Sequence, residues 1–325
     1  MKKIASLALL MLIGTGITFA KSVSFQTETY SGTITYNDTT RPGEAVFARL
    51  NMKIDKKKRN SIEPQAVLQL VKDDKKVDSS RFYFIGQKSK RQTFPEMMTG
   101  LPVSLWLNGN DSYSLKLIFS TGNGTEEKEV ILPLTMENVD WPKEVIKLNE
   151  KNTGIRQNMG AERLAQIDKL NNILGTIMES DIYSLKPFVS PVKSTRYTAH
   201  FGDQRVYQYS NGKTSATPHY GIDYGVPEGT DVYACQEGRV VMAEFRISTG
   251  WSVVIEHLPG LYSLYYHMSS LNVKENDYVK CGEKIGLSGS TGLATGPHLH
   301  WEVRLNMCAV KPEFFLNDFT NPSAE

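Results

Sequence analysis

The chain has 325 residues, with 37 basic and 35 acidic side chains and a formal net charge of +2. This near balance does not predict a nucleic-acid partner, because nucleic-acid-binding proteins usually carry a clear basic surplus. The length exceeds what one hydrophobic core normally serves, so two domains are expected.

Residues 1–20 have the pattern of a secretory signal peptide. Lys2 and Lys3 precede an apolar run from Ile4 to Ile13, and small residues lead up to Ala20. The run is too short to span a membrane, and no later stretch approaches the roughly 18 apolar residues that a spanning helix needs. We therefore predict a cleaved signal, export, and no stable membrane span.

Residues 21–145 are predicted to form an antiparallel β-sandwich of immunoglobulin-like shape. Short bursts of alternating apolar residues are separated by turn residues such as Asn37-Asp38 and Pro42-Gly43. The paired cysteines of antibody domains are absent, so the label concerns architecture only. The predicted strands are Val23–Phe25, Gly32–Tyr36, Ala45–Ile54, Val67–Val71, Phe82–Ile85, Val103–Leu107, Tyr113–Phe119 and Glu129–Leu134.

The hydrophobic period changes in residues 146–186, which are predicted to be a helical linker. Apolar residues recur there at steps of three and four, which indicates one amphipathic helix from about Gly160 to about Glu179. Its apolar stripe should lie against one or both domains, and Pro187 marks the start of the second. The stripe consists of Leu164, Ile167, Leu170, Ile173, Leu174, Ile177 and Met178.

Residues 187–325 lack helical periodicity, so the protein as a whole is predicted to be mainly β. Gly289, Gly292 and Gly296 should keep one loop thin enough for backbone to approach an extended peptide closely, which favours a groove over a deep pocket. The predicted strands are Tyr197–Phe201, Gly221–Tyr224, Asp231–Ala234, Arg239–Phe245, Trp251–His257, Leu261–Tyr266, Lys284–Ser288 and His298–Leu305.

Four of the six histidines occur in three short motifs of this second domain. In a strand, side chains at i, i+2 and i+4 share a face. An extended His219–Tyr224 segment would therefore point His219 and Asp223 the same way, and His298 and His300 likewise share a face. Two neutral imidazoles, one carboxylate and an open position are the layout of a catalytic zinc site. His267 and one member of the His298/His300 pair would remain for proton transfer.

The flanking residues resemble a known family over about residues 187–316. The segments Thr217–Gly225, Tyr265–Met268, Ser288–Gly292 and Gly296–Glu302 are similar to the motifs of the LytM/lysostaphin-type zinc metallopeptidases of bacterial cell walls. The resemblance implies one zinc ion per chain. Its ligands would be His219, Asp223 and His300, and His267 and His298 would assist catalysis. Members of the family cut peptide cross-bridges or stems of peptidoglycan.

A zinc ion lowers the pKa of its bound water to about 7, so hydroxide is available at neutral pH. No His-Glu-x-x-His sequence is present, so no helix-borne glutamate can act as the base. Either His267 or His298 must therefore take the water's proton and return it to the leaving amine, and the sequence does not distinguish them. Glu302 falls on the strand face of His300 and either orients an imidazole or is bound elsewhere.

The remaining candidates have less specific interpretations. His200 and His257 are expected to be hydrogen-bonded core residues, and Trp251 and Trp301 are expected to be core as well. Tyr265 should pack in the core with its hydroxyl near the site. Three cysteines leave at least one thiol unpaired, and the pairing of the others stays open.

The resemblance and the export signal together predict a periplasmic zinc-dependent endopeptidase that hydrolyses peptide cross-links of peptidoglycan, preferentially the bond from D-alanine to meso-diaminopimelate. Its partners would be peptidoglycan stem peptides and an unidentified envelope protein. Two alternatives are a non-catalytic activator of a wall amidase, for which lost zinc ligands would be expected, and a lysin secreted against foreign walls. We also hypothesise that the sandwich or the Gly160–Glu179 helix lies across the zinc groove and restrains activity.

Overall fold

A computed structural model describes residues 20–27, 30–54, 64–85, 96–121 and 127–321. The predicted signal peptide lies outside these ranges except for Ala20, which opens the first strand. No helix in the described part of the chain is both long and apolar enough to cross a bilayer. The chain is mainly β, as predicted.

The first half contains two antiparallel sheets that share one core. A five-stranded sheet has the order β1-β2-β4-β8-β7, and a four-stranded sheet has the order β10-β9-β5-β6. Alternate side chains of β2 and β9 are buried, as expected for strands with one face on a core. The strands are β1 (Ala20–Gln26), β2 (Tyr30–Asn37), β3 (Thr39–Thr40), β4 (Ala45–Ile54), β5 (Gln65–Lys72), β6 (Lys75–Arg81), β7 (Tyr83–Phe84), β8 (Glu96–Pro102), β9 (Ser114–Ser120), β10 (Glu127–Pro133) and β11 (Thr135–Met136).

These sheets agree with the predicted sandwich, but its immunoglobulin-like shape is not confirmed. The predicted strand Val103–Leu107 is wrong. The strand in this region is β8, and the chain turns immediately after it, with the Leu107 amide donating to the Ser104 carbonyl. Val103 and Leu105 are nevertheless buried. The alternating apolar residues in this segment are therefore buried by the packing of a turn, and they do not indicate a strand.

The linker, taken from here on to begin at Lys143 instead of residue 146, contains one strand and two helices: β12 (Lys143–Lys147), α1 (Glu150–Gln157) and α2 (Ala161–Gly175). The single helix predicted to end near Glu179 stops earlier, at Gly175. The amide of Thr176 donates back to the Ile173 carbonyl there and closes the last turn. Ile177 and Met178 follow the helix and are about half exposed.

The C-terminal half of α2 packs against the second domain. Leu174 is buried, and Leu170 and Ile173 are partly buried beside it, whereas Leu164 in the first turns is exposed. The predicted apolar stripe therefore contacts the second domain only through the last two turns of α2. Its partners there are Met242, Val254, Tyr262, Leu264 and Tyr266.

The second domain is built on an eight-stranded sheet of order β13-β16-β24-β20-β19-β18-β22, with β25 beside β24. Two three-stranded sheets flank it, β17-β23-β21 and β12-β14-β15, and β12 runs parallel to β14. The strands are β13 (Tyr197–Ala199), β14 (Gln204–Gln208), β15 (Thr214–Pro218), β16 (Gly221–Tyr224), β17 (Asp231–Tyr233), β18 (Gly238–Arg246), β19 (Gly250–Leu258), β20 (Leu261–Met268), β21 (Ser270–Leu271), β22 (Tyr278–Val279), β23 (Lys284–Leu287), β24 (Leu299–Leu305) and β25 (Cys308–Val310), and a 3-10 helix spans Pro312–Leu316.

The two domains share buried residues. Phe47 of β4 packs against Phe314, Phe315 and Phe319 near the C-terminus, with ring centroids 4.8 Å apart for Phe47 and Phe319. This aromatic group is continuous with the core of the second domain. The sandwich is therefore docked onto the second domain through an apolar contact.

Candidate metal centre and active site

The three predicted zinc ligands converge in the structure. His219 Nε2 lies 3.0 Å from Asp223 Oδ1 and 3.0 Å from His300 Nδ1, and His300 Nδ1 lies 2.9 Å from Asp223 Oδ1. All three side chains are buried. One ion could contact these three atoms at once.

The strands bring the ligands together in a way that differs partly from the prediction. Asp223 of β16 and His300 of β24 are direct cross-strand partners. His219 lies between β15 and β16, so the segment His219–Tyr224 is not one continuous strand. The backbone amide and carbonyl of His219 instead bond to Asp203 and Gly202 of the preceding loop. These bonds fix the turn that aims His219 at Asp223.

The hydrogen bonds on the far side of each imidazole determine which nitrogen faces the centre. The His200 carbonyl can only accept, so His219 Nδ1 carries the proton across their 2.9 Å contact. His300 Nε2 lies 3.3 Å from Glu302 Oε2 and donates to that carboxylate. When His300 Nδ1 is deprotonated, as binding of a metal requires, both rings present a lone pair toward Asp223 Oδ1. Two imidazole nitrogens and one carboxylate oxygen form a donor set that fits zinc.

The charges of this centre are strongly coupled. Burial would raise the pKa of Asp223, but His219 and His300 hold it well below its usual range. Burial lowers the pKa of His219, against the opposing effect of Asp223. Burial would also lower the pKa of His300, yet the hydrogen bonds that its ring donates to the carboxylates of Asp223 and Glu302 raise it to about 9. Asp223 is thus a permanent anion at the centre.

Arg205 of β14 contacts the outer oxygen of the carboxylate ligand, a role that we did not predict. Its Nη2 lies 3.0 Å from Asp223 Oδ2, which leaves Oδ1 to face the two imidazoles. The residue stands on a hairpin, β14–β15, that the predicted strands omitted. The hairpin turn contains Asn211-Gly212, and Asn-Gly between short runs is a strong hairpin signal that could have located it.

Gly221 provides the space in which the His300 ring lies. A Cβ added at this position would lie 2.8 Å from His300 Nε2 and 2.4 Å from the Trp301 carbonyl oxygen. Both distances are shorter than real Cβ contacts. The glycine in the His-x-x-x-Asp motif is therefore needed for close packing of β16 on β24.

The two predicted catalytic histidines lie beside this centre. The ring centroids of His267 and His298 are 4.7 Å apart, and His298 Nε2 is 3.8 Å from Asp223 Oδ1. Each Nδ1 donates to a carbonyl, that of Thr291 for His267 and that of Gly296 for His298, both at 2.8 Å. Their Nε2 atoms therefore carry free lone pairs. Burial, with His298 and His300 nearby, lowers the pKa of His267 to about 3.

A local backbone distortion places His267 in the cleft. Neighbouring side chains of a strand normally point to opposite faces, yet Tyr266 and His267 both line the cleft. His267 has a φ of +62°, in the left-handed region, which turns its side chain out of the normal alternation. The Tyr266 ring stacks on His300 with centroids 5.4 Å apart. Tyr265, expected to reach the site, instead accepts from the Cys235 amide in the core.

The predictions for the other residues agree with the structure in some cases and not in others. His257 and Trp301 are buried as expected, but His200 and Trp251 are exposed, so their assignment to the core is wrong. Glu302 is buried against His300 and Arg304. It therefore orients the imidazole of His300 and is not bound elsewhere. All three cysteines, Cys235, Cys281 and Cys308, are free thiols.

The centre opens into a cleft of about 590 Å³. One wall is the hairpin β14–β15, and another is the loop that contains Gly296. The linker contributes Glu144, Ile146 and Leu148 from β12 and its continuation, and Arg156 from α1. Among the described residues that line the cleft, none belongs to the sandwich or to α2. The parts of the chain beside the groove are therefore β12 and α1. The hypothesis that a segment restrains activity named the sandwich and the Gly160–Glu179 helix instead.

Comparison with known proteins identifies the region that contains this site. Residues 217–312 match the model of peptidase family M23. DD-carboxypeptidase/endopeptidase Mpg of Neisseria meningitidis is 38% identical over 124 residues, which cover 38% of this chain and 28% of Mpg. Peptidoglycan DD-endopeptidase ShyA of Vibrio cholerae is 40% identical over 114 residues, which cover 35% of this chain and 26% of ShyA. The chain thus spans roughly a quarter to a third of the length of the curated relatives it matches.

A solved structure extends the likeness beyond the matched segment. A crystal structure from Pseudomonas aeruginosa, assigned to peptidase M23, covers 85% of this chain and 93% of its own, with a TM-score of 0.52 and 19% identity. At this identity the likeness concerns the fold alone. Over residues 217–312 the chain is therefore similar to peptidase family M23, in agreement with the resemblance to the LytM/lysostaphin-type peptidases.

Proposed function

We propose that the protein is an exported zinc-dependent endopeptidase that hydrolyses peptide cross-links of bacterial peptidoglycan. The observation that carries the proposal is the arrangement of five side chains in one cleft. His219, Asp223 and His300 turn three lone pairs to one point, and His267 and His298 present two more Nε2 atoms beside it. This is the division between metal ligands and acid–base groups that hydrolysis of an amide requires.

Zinc bound by the three ligands would supply a Lewis acid for the scissile carbonyl and a water whose pKa is about 7. The protein's own residues then handle the proton. His298 Nε2, which lies 3.8 Å from Asp223 Oδ1, and His267 Nε2 both face the centre, and each ring is held by a carbonyl at its Nδ1. One of them takes the proton from the attacking water and returns it to the leaving amine.

The proposed substrate rests on the relatives. ShyA is named a peptidoglycan DD-endopeptidase and Mpg a DD-carboxypeptidase/endopeptidase. These names support a bond between D-configured centres, and we favour the D-alanyl to meso-diaminopimelate cross-link. The signal-like residues 1–20 support export to the periplasm. The complete ligand set argues against the non-catalytic amidase activator.

Cross-linked muropeptide dimers test this function directly. The protein beginning at Lys21 is incubated with dimers, with and without a chelator, and the products are followed by mass spectrometry. We expect chelator-sensitive conversion of dimers to monomers, and the product masses identify the bond. His298→Ala, loaded with zinc, serves as the matched inactive control. A zinc-loaded wild-type protein that leaves every dimer intact would refute the proposal.

A further inference from the structure

Helix α1 adds a positive charge to the cleft from outside the segment that matches the peptidase family. Arg156, in its last turn, lines the same cleft as the metal-ligand residues. It belongs to the linker and lies about 60 residues before the matched segment begins at residue 217. Its contribution to the cleft therefore comes from a part of the chain that the family match does not include.

The guanidinium of Arg156 is held in a defined orientation. Its central carbon lies 3.7 Å from the centroid of the Tyr207 ring, and its Nε donates to Ser215 Oγ at 3.2 Å. Within the described ranges, no carboxylate lies at ion-pair distance from Arg156. The two terminal nitrogens are thus left to bind an anion in the plane of the guanidinium.

The position of Arg156 along the hairpin sets its distance from the metal ligands. Arg205 and Tyr207 are two residues apart on β14, so they share a face and lie on the order of 7 Å apart along the strand. Arg205 contacts Asp223, and Arg156 stacks on Tyr207. Arg156 therefore lies farther along the cleft than Arg205, which contacts the metal-ligand carboxylate of Asp223. The separation between the two arginines is about the length of two residues of extended chain.

Helix α1 is fixed to both walls of the cleft. Asn152 Nδ2 donates to the Ala294 carbonyl of the glycine-rich loop at 3.1 Å. On the opposite wall, the Ser210 amide of the hairpin turn donates to Thr153 Oγ1 at 3.0 Å. Arg156 is therefore presented by a rigid bridge between the two walls, which is the support that a specificity contact needs.

We infer that Arg156 binds a free carboxylate of the peptide substrate, about two residues from the scissile bond. The inference rests on the proposed function and names one feature of its substrate. A stacked arginine with two free terminal nitrogens matches the planar, two-oxygen geometry of a carboxylate. In this cleft the other arginine, Arg205, is already paired with Asp223. Arg156 is the cation left for the substrate.

A pair of synthetic stem-peptide dimers tests the inference. They are identical except that, in one, the carboxylate two residues from the scissile bond is replaced by a carboxamide. For the zinc-loaded wild type we expect kcat/KM to be about tenfold higher on the carboxylate dimer. Arg156→Gln should lower the value on this dimer by about tenfold and leave the carboxamide value unchanged, so that the two become equal.

Two further variants separate recognition from structure. Lys151→Gln removes the same charge from the same helix at an exposed position outside the cleft, and should keep the tenfold preference. Arg156→Lys keeps the cation, and should retain part of the preference even if the glutamine variant folds poorly. An equal loss on both dimers in Arg156→Gln would overturn the inference and leave the endopeptidase function standing. A zinc-loaded wild type that cleaves neither dimer would overturn both.

Discussion

Arg205→Gln tests whether the guanidinium on the outer oxygen of Asp223 is part of the metal centre. The Arg205 and Asp223 side chains are only 12% and 10% exposed, and their contact at 3.0 Å is close to an ideal ion pair. Glutamine removes the charge and keeps much of the side-chain volume. Oδ2 of Asp223 then loses its cationic partner and is left in a poorly hydrated site.

The expected magnitude follows from the geometry. A side chain that hydrogen-bonds to a metal ligand without touching the metal holds that ligand in place. Its removal typically lowers metal affinity by about 10- to 100-fold. This corresponds to about 1.4 to 2.8 kcal/mol at 25 °C. Because Asp223 Oδ1 still faces His219 and His300, we expect weakened zinc binding but not its abolition. The Arg205→Lys variant should lose less, since it keeps the charge.

Zinc affinity is measured by competition with a chromophoric chelator at constant pH, and circular dichroism checks that each variant is folded. Arg196→Gln is the control, because Arg196 is exposed and its guanidinium donates to the Gly225 carbonyl and not to a metal-ligand side chain. It should bind zinc as the wild type does. A folded Arg205→Gln protein with wild-type zinc affinity would show that the ion pair has no role at the metal centre.

Three further predictions follow from particular side chains. His300→Ala should lose both zinc and activity, whereas His298→Ala should keep zinc and lose most activity; metal analysis showing the reverse would exchange their roles. Burial lowers the pKa of His257 to about 4 from its ordinary value near 6.5. The unfolded chain therefore binds the proton more tightly, and about 3 kcal/mol of unfolding free energy should be lost as pH falls from 6.5 to 4. Urea titrations at pH 7 and 4 should show a smaller loss for His257→Gln. Gly221→Ala should weaken zinc binding by crowding His300, while Gly154→Ala, with open space around it, should leave zinc affinity unchanged in the same chelator competition.

The family resemblance was sufficient to predict that His219, Asp223 and His300 come together. Strand alternation alone left the choice between His298 and His300 open, and it did not describe the turn at His219, whereas the pairing of Asp223 with His300 is a direct cross-strand contact. The predicted strand Gly221–Tyr224 has the observed bounds. The buried Leu299 between the two histidines also follows from alternation.

Other features depended on contacts between distant parts of the chain. The pairing of β12 with β14 joins residues about 60 positions apart, and the side chains of β12 are mostly exposed, so no hydrophobic pattern marks it. Arg205 gains its role only when the hairpin folds over Asp223. The left-handed conformation at His267 overrides the normal alternation of side chains at the end of its strand. These features arise from tertiary structure, which single-sequence patterns describe poorly.

The aromatic contact between Phe47 and the C-terminal phenylalanines couples the stability of one domain to that of the other. Because those rings are buried against each other, heat should melt the sandwich and the second domain in a single cooperative transition. The second domain, if it were released at residue 187, would expose this aromatic surface to water. It would also leave the edge of β14 without β12, and open strand edges favour association with other chains. We therefore expect the sandwich and linker to keep the second domain from aggregating.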